Sequence, residues 1–386
     1  MIDLTRQIEA YAEQLDLTVP AANELLVARR RSKRPVPARP RWWIAAAAAG
    51  GAAAVVLIAI GVVTFTRGDE VTADTAAPPA TQAPTTTTTA VPSILRFELA
   101  TETPAFDSGE QEAWDWPFVS PGAVVYEDGV YHMLRNGFGD EKPTGVGYGV
   151  SDNGVLWSEV GEEPVFMLEG GQVHAGLVTP DGTWLVYFDS IATKDEVGSP
   201  VTIGRAAAPG PEGPWTVDTA PVLEPGAPGS WDQSSVLQPA VVATDNGFVM
   251  FYVGTGNEGY AIGRATSSDG LVWVKDEGPV LVPEAEWEGS ELTRPDVAAT
   301  ENGLVMMYAN HSGSRRGIAT SPDGVTWTRF PGNPVLTTAS VPRATMKTGE
   351  LYYREGVYLL YLENGGTAFT GSNIAVLTRD DPIVIR

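Results

Sequence analysis

Four copies of one short stretch, each ending in a tryptophan, constrain the fold of this chain more than any single residue does. The two clearest copies, residues 262–273 and 317–327, both contain Ser-x-Asp-Gly-x-x-Trp. Weaker copies end at Trp157 and Trp215, so that the four tryptophans are 58, 58 and 54 residues apart. A nearly fixed period of this size predicts an architecture built from stacked copies of one supersecondary unit.

Each copy has the same order of apolar runs and turns. Between its first two runs lies a turn that ends in glycine, which accepts the positive φ of a tight hairpin. These turns lie at residues 127–129, 180–182, 245–247, 301–303 and 354–356. Five copies of about four strands each, without helical periodicity, predict an all-β fold, a five-bladed β-propeller over residues 93–386.

Two further expectations concern how the blades are completed. We expect the repeated tryptophans to pack between blades, because large aromatic side chains at a repeated turn fit blade interfaces better than a ligand platform. The last copy lacks the tryptophan turn. We therefore expect residues 94–97 or 383–385 to supply its outer strand and to close the ring.

An apolar segment precedes the repeats at residues 42–66. It has 24 uncharged residues from Trp42 to Phe65, which is enough to cross a bilayer core of about 30 Å. Seven basic residues between Arg29 and Arg41 precede it, whereas Arg67 alone follows directly. The positive-inside rule then predicts a single transmembrane helix in the cell membrane, with a cytoplasmic N-terminus and an extracellular C-terminal domain. A buried core helix is the alternative.

The segments on either side of this span have different compositions. Residues 1–41 begin with helical spacing at Leu4, Ile8, Tyr11 and Leu15 and end in the basic cluster, which predicts a short helical cytoplasmic leader. That helix either packs against a partner or lies exposed. Residues 67–92 are rich in Thr, Pro and Ala and have few large apolar side chains, which predicts a disordered stalk.

Charge and cysteine content exclude several classes of function. Residues 93–386 contain 16 Lys and Arg against 40 Asp and Glu, a net charge of −24, which argues against nucleic acid as a partner. The chain has no cysteine, which excludes thiolate catalysis and cysteine-ligated metals. Its three histidines show no ligand spacing. We therefore predict no metal and no cofactor.

A second repeated element connects the chain to a known group of proteins. Trp114-Asp115, Trp231-Asp232 and Trp287-Glu288 each precede a strand that contains proline. Together with Met-Phe-Tyr at 250–252 and Pro-Val-Leu at 279–281, this pattern resembles the arabinanase, levansucrase and invertase superfamily, glycoside hydrolase families 32, 43, 62 and 68. The resemblance covers about residues 97–386. It implies a five-bladed propeller with carboxylates at the start of the innermost strands, around a central funnel.

The chain departs from that pattern at the positions that carry catalysis. Ser120-Pro121 and Gln238-Pro239 stand where the resemblance implies Asp-Pro. Glycoside hydrolysis needs two carboxyl groups flanking the bond, and Asp296 and Glu291 are the candidate acid and base, with Arg294 near enough to tune them. The alternative is that both are structural carboxylates at a blade corner.

Other polar residues near the expected starts of the inner strands suit a sugar's hydroxyl groups, and one aromatic ring suits its apolar face. The candidate substrate-binding residues are Trp116, His174, Gln238, Arg294, Arg343, Asp115 and Asp232. The alternative is that these side chains bond to each other and fill a narrow channel, or serve blade corners.

These observations predict a membrane-anchored, extracellular, glycoside hydrolase-like propeller that acts on or binds a polysaccharide or oligosaccharide. The alternative is a non-catalytic carbohydrate-binding or scaffolding propeller that has lost the usual catalytic carboxylates. A sialidase-like propeller fits less well, because its turn has one more residue between Asp and Gly than Asp323-Gly324 has here.

Overall fold

The computed structural model describes residues 95–139, 143–191, 199–339, 344–365 and 371–383. All of them belong to the unit from Pro84 to Arg386. The predicted leader at 1–41, the transmembrane helix at 42–66 and the stalk at 67–92 lie outside the described residues and stay predictions. Within the described ranges, no helix combines the length and apolar character needed to cross a membrane.

Within the described residues, twenty-three strands form five antiparallel sheets, one for each blade. Blade 1 contains β3 (Phe118–Glu127), β4 (Val130–Phe138), β5 (Thr144–Ser151), β6 (Ser158–Val160) and β7 (Phe166–Leu168). Blade 2 contains β8 (Val173–Val178), β9 (Trp184–Ile191), β10 (Val201–Ala208) and β11 (Thr216–Val217). Blade 3 contains β12 (Ser235–Thr244), β13 (Gly247–Gly256), β14 (Gly259–Ser267) and β15 (Val274–Lys275).

The last two blades complete the ring. Blade 4 contains β16 (Leu292–Thr300), β17 (Gly303–Asn310), β18 (Arg315–Ser321), β19 (Thr328–Arg329) and β20 (Leu336–Thr337), and a 3₁₀ helix at Glu286–Glu288 precedes it. Blade 5 contains β21 (Ala344–Arg354), β22 (Val357–Asn364) and β23 (Asn373–Arg379), with β1 (Glu98–Leu99) and β2 (Phe106–Asp107) paired to β23. The innermost strands β3, β8, β12, β16 and β21 contact each other in this order, and β21 returns to β3. The predicted five-bladed propeller is therefore confirmed.

The N-terminal end of the described chain closes the ring, but not with the residues expected. Glu98 and Leu99 pair with Thr378 and Leu377 of β23, whereas the expected outer strand was 94–97 or 383–385. Leu95 and Phe97 are buried in the core beside blades 4 and 5. Their apolar side chains fill the space between these blades, so strand pairing begins one residue after Phe97.

The repeated tryptophans lie between blades, as predicted. Each ring contacts an aromatic ring of the preceding blade, with centroid separations from 5.1 to 5.7 Å. The pairs are Trp157–Tyr361, Trp215–Phe166, Trp273–Tyr187 and Trp327–Phe251. The second strand of a blade is buried on both faces by its neighbours, and for this reason residues 248–255 of β13 form a continuous buried run.

Candidate functional site: the axial cavity

A β-bulge interrupts every innermost strand near its start. The bulges lie between Pro121 and Ala123, Val173 and Ala175, Leu237 and Ala240, Thr293 and Asp296, and Ala344 and Gly349. A bulge inserts extra residues into one strand and changes the direction of their side chains. In blades 2, 3 and 4 the inserted residues include His174, Gln238 and Arg294, and these three line a common cavity.

This cavity has a volume of about 490 Å³ and takes lining residues from all five blades, which places it on the propeller axis. The volume lies within the range of about 300–1,000 Å³ that is common for small-ligand sites. Its charged and polar lining includes His174, Asp189, Gln238, Arg294, Thr348 and Glu363. We call this space the axial cavity.

One wall of the axial cavity is aromatic. Phe118 and Phe138 are directly opposed on β3 and β4, and their rings stack with centroids 5.5 Å apart and an interplanar angle of 25°. Both side chains are only partly buried. They offer a flat apolar surface opposite polar groups, and such a pairing suits a ring that carries hydroxyl groups on its edge.

The other wall carries charge. His174 Nε2 lies 2.9 Å from Asp189 Oδ2, and both side chains keep some exposure to the cavity. The guanidinium of Arg294 donates through Nη1 to Thr293 Oγ1 at 3.1 Å and to the carbonyl of His311 at 3.3 Å. Burial lowers the pKa of Arg294, while the negative charges of Glu363 and Asp189 oppose that effect. The arginine keeps its charge, since its ordinary pKa is far above neutral.

Two carboxyl groups form a second layer within the ring. Asp296 on β16 accepts a hydrogen bond from the N–H of Leu351, and Glu350 on β21 accepts one from the N–H of Val124 at 3.3 Å. The two carboxyl groups also bond to each other. Each thus satisfies an N–H of the next innermost strand, a group that a sheet edge would otherwise leave unpaired.

This acid pair keeps a proton under conditions where ordinary carboxyls have lost theirs. Burial raises the pKa of Asp296 to about 7, although the Leu351 N–H, Arg316 and His174 pull it down. Burial and the adjacent Asp296 raise the pKa of Glu350 well above its ordinary value. Arg316 is fully buried, and burial lowers its pKa to about 10. Because two touching carboxylates repel each other, the pair holds one shared proton near neutral pH.

The candidate residues from the sequence fall into separate places. His174, Gln238 and Arg294 line the axial cavity, and Asp296 is buried in the second layer. Glu291, the other candidate carboxylate, pairs instead with the exposed imidazole of His311. It is not among the residues that line the cavity.

Two further candidates lie near or beyond the limits of this site. The ring of Trp116 lies against Gly371, where an added Cβ would come within 3.0 Å of it. Neither residue is part of the cavity lining, although Phe118 two positions on is. Arg343 lies outside the described residues.

Asp115 and Asp232, two of the candidate binding residues, lie in blade corners instead of the cavity lining. Asp115 accepts from Arg135 at 2.8 Å, and Asp232 accepts from Lys275 at 2.7 Å and from the hydroxyl of Tyr252 at 3.1 Å. Both carboxylates are buried. Their partners belong to the same blade, so the geometry supports the alternative of a structural carboxylate for both.

Sequence reasoning missed several charged residues of the site. Asp189 and Glu363 line the cavity and Glu350 completes the acid pair, but none of them starts an innermost strand. Asp189 and Glu363 instead interrupt apolar second strands, after Tyr187-Phe188 and Tyr361-Leu362. Burying a carboxylate in an apolar strand costs free energy unless its side chain reaches a polar region. A carboxylate inside such a run was therefore the sequence signal that could have indicated a polar cavity.

No group of three or more His, Asp or Glu residues within the described part of the chain is placed to hold a metal ion. The site offers hydrogen-bond donors and acceptors, the positive charge of Arg294 and an aromatic face.

Comparison with known proteins finds a short stretch of sequence similarity and a wider likeness in fold. No family model matches the chain. A curated relative, the β-1,2-mannobiose phosphorylase of Thermoanaerobacter sp. (strain X514), is 29% identical over 107 residues. The match spans 24% of this chain and 35% of the relative, about a third of its length.

Several solved structures resemble most of the chain. One comes from work on the mannoside phosphorylase family 130, which contains glycoside hydrolases that target β-1,2-mannosidic linkages in Candida mannan; it has a TM-score of 0.55 and 17% identity and covers 72% of this chain and 93% of that chain. A glycosyl hydrolase from Bacteroides ovatus has a TM-score of 0.54 at 17% identity, with coverage of 72% and 93%. A thermostable family-43 glycoside hydrolase has a TM-score of 0.53 at 16% identity, with coverage of 71% and 91%.

The fold is that of the five-bladed glycoside hydrolase propellers. At these identities the likeness concerns the fold alone, because one fold carries many activities and function depends on the residues of the site.

Proposed function

We propose that this propeller binds the end of a glycan chain in its axial cavity. The observation that carries the proposal is the cavity itself, with stacked Phe118 and Phe138 on one wall and His174, Asp189 and Arg294 among the polar groups. A sugar ring has an apolar face and a polar rim, and these two walls complement those two surfaces. The names of the relatives direct attention to mannosides first.

The test is a binding measurement on the fragment 84–386, which contains every strand of the five sheets. Calorimetric titration would use β-1,2-mannobiose first, then arabinan, fructan and galacturonan oligosaccharides. We expect saturable binding of at least one of them, with a loss of about tenfold in Phe138→Leu, because leucine keeps the apolar volume and removes the ring face.

Phe166→Leu is the matched control for that substitution. Phe166 is also a partly buried phenylalanine of blade 1, but its ring contacts that of Trp215 in a tilted arrangement and does not line the cavity. Its replacement should leave the affinity unchanged. Equal losses in both variants, or no binding of any glycan, would contradict the proposal.

Hydrolysis of the bound glycan is a second candidate function, favoured by the protonated acid pair. A general acid needs a pKa near the working pH, and Asp296 has this property. In this candidate Asp296 supplies the proton. The sequence proposes Glu291 as the base, but Glu291 pairs with His311 outside the cavity lining, so a carboxylate of the lining, Asp189 or Glu363, takes that role for a glycan in the cavity.

Sugar release from the same glycan panel tests this second candidate. Asp296→Asn should abolish release and Glu363→Gln should reduce it strongly, whereas Glu291→Gln should reduce it only if the base lies outside the cavity lining. Turnover that is unchanged in both Asp296→Asn and Glu363→Gln rejects the assignment, whereas a wild-type protein that binds without releasing sugar leaves glycan binding as the function.

We also propose that the full chain is anchored in the cell membrane through residues 42–66, with the propeller outside the cell. The uncharged span and the basic residues that precede it support this orientation. Protease treatment of intact cells should cleave the propeller from the membrane fraction and spare a tag at the N-terminus. Protection of the propeller would reverse the proposed orientation.

A further inference from the structure

Two cavity residues have a backbone conformation that their sequence disfavours. Gln238 and Arg294 both have φ of +53°, in the left-handed region, and both precede a proline. Side chains with a Cβ rarely adopt this region, and a following proline disfavours helical conformations further. Such a conformation persists only where surrounding contacts impose it, and it is often found at ligand-binding sites.

The contacts that impose it run from blade to blade. The N–H of Gln238 in blade 3 donates to Asp189 Oδ1 of blade 2 at 2.6 Å, a short bond to a charged acceptor. The N–H of Arg294 in blade 4 donates to Oε1 of Gln238 at 2.8 Å. Gln238 thus receives a bond from the next blade while its own N–H bonds to the preceding one.

The second oxygen of Asp189 extends this chain to the histidine. His174 Nε2 lies 2.9 Å from Asp189 Oδ2. A carboxylate accepts only, so the Nε2 atom must carry the hydrogen and Nδ1 is left as an acceptor in the neutral ring. One carboxylate therefore sets both the tautomer of His174 and the main chain of Gln238.

The other seams with a comparable bond are built differently. Between blades 5 and 1, Ser372 Oγ accepts from the N–H of Val119 at 2.7 Å. Between blades 1 and 2, Asn136 accepts from the N–H of Val173 at 2.8 Å. These two are separate pairs of neutral groups, whereas the bonds of Glu350 to Val124 and of Asp296 to Leu351 belong to the second layer. None of these four pairs lines the axial cavity. Among the described residues, the seam bonds across blades 2, 3 and 4 join residues that themselves form the cavity wall.

We propose that Asp189 and Gln238 are positioning residues, which form one hydrogen-bonded relay that holds His174 and Arg294 in the conformations the axial cavity needs. The relay deepens the proposed function, since it identifies what sets the polar wall for a glycan. If the relay exists, substitution of Asp189 in blade 2 must change the conformation of the main chain at Arg294 in blade 4. Asp189 shares no hydrogen bond with Arg294, so the effect must pass through Gln238.

The experiment follows the amide hydrogens of Gln238 and Arg294 in the fragment 84–386 by hydrogen exchange. In Asp189→Ala we expect exchange at both amides to rise about tenfold, because the first amide loses its acceptor and the second loses the held side chain of Gln238. In Asp189→Asn the side-chain carbonyl still accepts from Gln238, so protection should stay near the wild-type value. Should the alanine variant fail to fold, Gln238→Ala tests the second half of the relay through the Arg294 amide.

A second readout reports on the histidine without any ligand. In Asp189→Asn the amide Oδ1 keeps the bond from Gln238, so the amide Nδ2 faces the imidazole as a donor; the hydrogen of His174 should then move from Nε2 to Nδ1, which the nitrogen chemical shifts of the ring report by NMR. Asp218→Ala is the matched control, since Asp218 is also a half-buried carboxylate of blade 2, paired with Arg205 at 2.7 Å away from the cavity. It should change neither readout.

The outcomes separate the relay from the glycan proposal. Unchanged exchange at Arg294 in Asp189→Ala and in Gln238→Ala overturns the relay, whatever any glycan does. Faster exchange at both amides together with a loss of about tenfold in affinity for β-1,2-mannobiose supports both proposals. Faster exchange in a protein that binds none of the glycans tested supports the relay and rejects the glycan as the ligand.

Discussion

Carboxylates occupy two regions of this propeller, the blade corners and the axis, and they have opposite kinds of partner there. In the corners, each carboxylate forms an ion pair with a basic residue of its own blade. The pairs are Asp115–Arg135, Asp232–Lys275 and Glu288–Arg329. On the axis, Asp189, Asp296 and Glu350 bond to the main chain of the next blade. The corners hold single blades together, and the axis connects blades and encloses the cavity.

The residues that repeat in the sequence therefore belong to the blade corners, whereas the residues that line the cavity differ from blade to blade. The Trp-Asp and Trp-Glu elements recur in three blades, because each blade needs the same corner. The residues inserted by the bulges differ between blades 2, 3 and 4, where His174, Gln238 and Arg294 stand. A repeated unit can build a ring, but only its differences can make one asymmetric cavity for a ligand.

The largest effect we expect is from a corner. Glu288 is almost fully buried and accepts from Arg329 at 2.8 Å, from the hydroxyl of Tyr308 at 2.7 Å and from the N–H of Glu284 at 2.7 Å. Glu288→Ala leaves these donors without an acceptor and should lower the free energy of unfolding by about 3–5 kcal/mol. Denaturant titration of the fragment 84–386 measures this.

Glu286→Ala is the control for that substitution, as Glu286 lies in the same 3₁₀ helix and is exposed. It should leave stability close to the wild-type value. Glycan affinity of the folded fraction should be unchanged in both variants, and a selective loss of binding in Glu288→Ala would erase the distinction between corner and axis.

The next effect is a pH dependence from the axial acid pair. The pKa of Asp296 is raised from 3.8 to about 7, so between these values the folded protein binds more protons than the unfolded chain. The contribution of Asp296 to the free energy of unfolding must therefore fall as pH rises from about 4 to 7. In Asp296→Asn, which cannot ionise, this fall should shrink by on the order of 2 kcal/mol.

Unfolding curves at pH 5 and pH 8 give the comparison. The asparagine variant should be the more stable protein at pH 8 and should lose its advantage at pH 5. Asp152→Asn, at an exposed turn of blade 1, is the control and should follow the wild type. An identical pH dependence in Asp296→Asn would contradict the shared proton.

A smaller effect on glycan affinity should come from a substitution in the cavity that keeps the charge of a side chain and changes its shape. Arg294→Lys keeps the positive charge but loses the planar fork that bonds to Thr293 and His311. We expect glycan affinity to fall about tenfold, or about 1.4 kcal/mol, with little change in stability. An unchanged affinity would mean that the geometry of this wall does not matter for binding.

The smallest effect should come from the repeated turns. Val272 is 66% exposed in the turn before Trp273, and Val272→Ser should change stability by no more than about 0.5 kcal/mol. Glycan affinity should not change either. A loss of binding in this variant would place the ligand on the turns and away from the axis.

The sequence was sufficient for the ring but not for its centre. Hairpin turns and tryptophans depend on local chemistry, such as the carboxylate of Asp323 accepting from the N–H groups of Val325 and Thr326. His174, Gln238 and Arg294 could be placed at the cavity because they start inner strands. Asp189 and Glu350 could not, since their roles depend on which strands from different blades meet at the axis.

Even the predicted strand that closes the ring shows this limit. The expected outer strand was 94–97 or 383–385, but the residues that pair with β23 are Glu98 and Leu99, directly after the first of these ranges. The alternation of buried Leu95 and Phe97 with their exposed neighbours could be seen in the sequence. The core between blades 4 and 5, against which Leu95 and Phe97 pack, could not be identified from the sequence.

Our main proposal is that this protein binds a carbohydrate in the axial cavity. A crystal structure of the fragment 84–386 with the tightest-binding oligosaccharide of the panel tests it most directly. We expect electron density for the terminal sugar between the stacked rings of Phe118 and Phe138 and the guanidinium of Arg294. Density at a blade corner or on the outer strands, with the axial cavity empty of sugar, would contradict it.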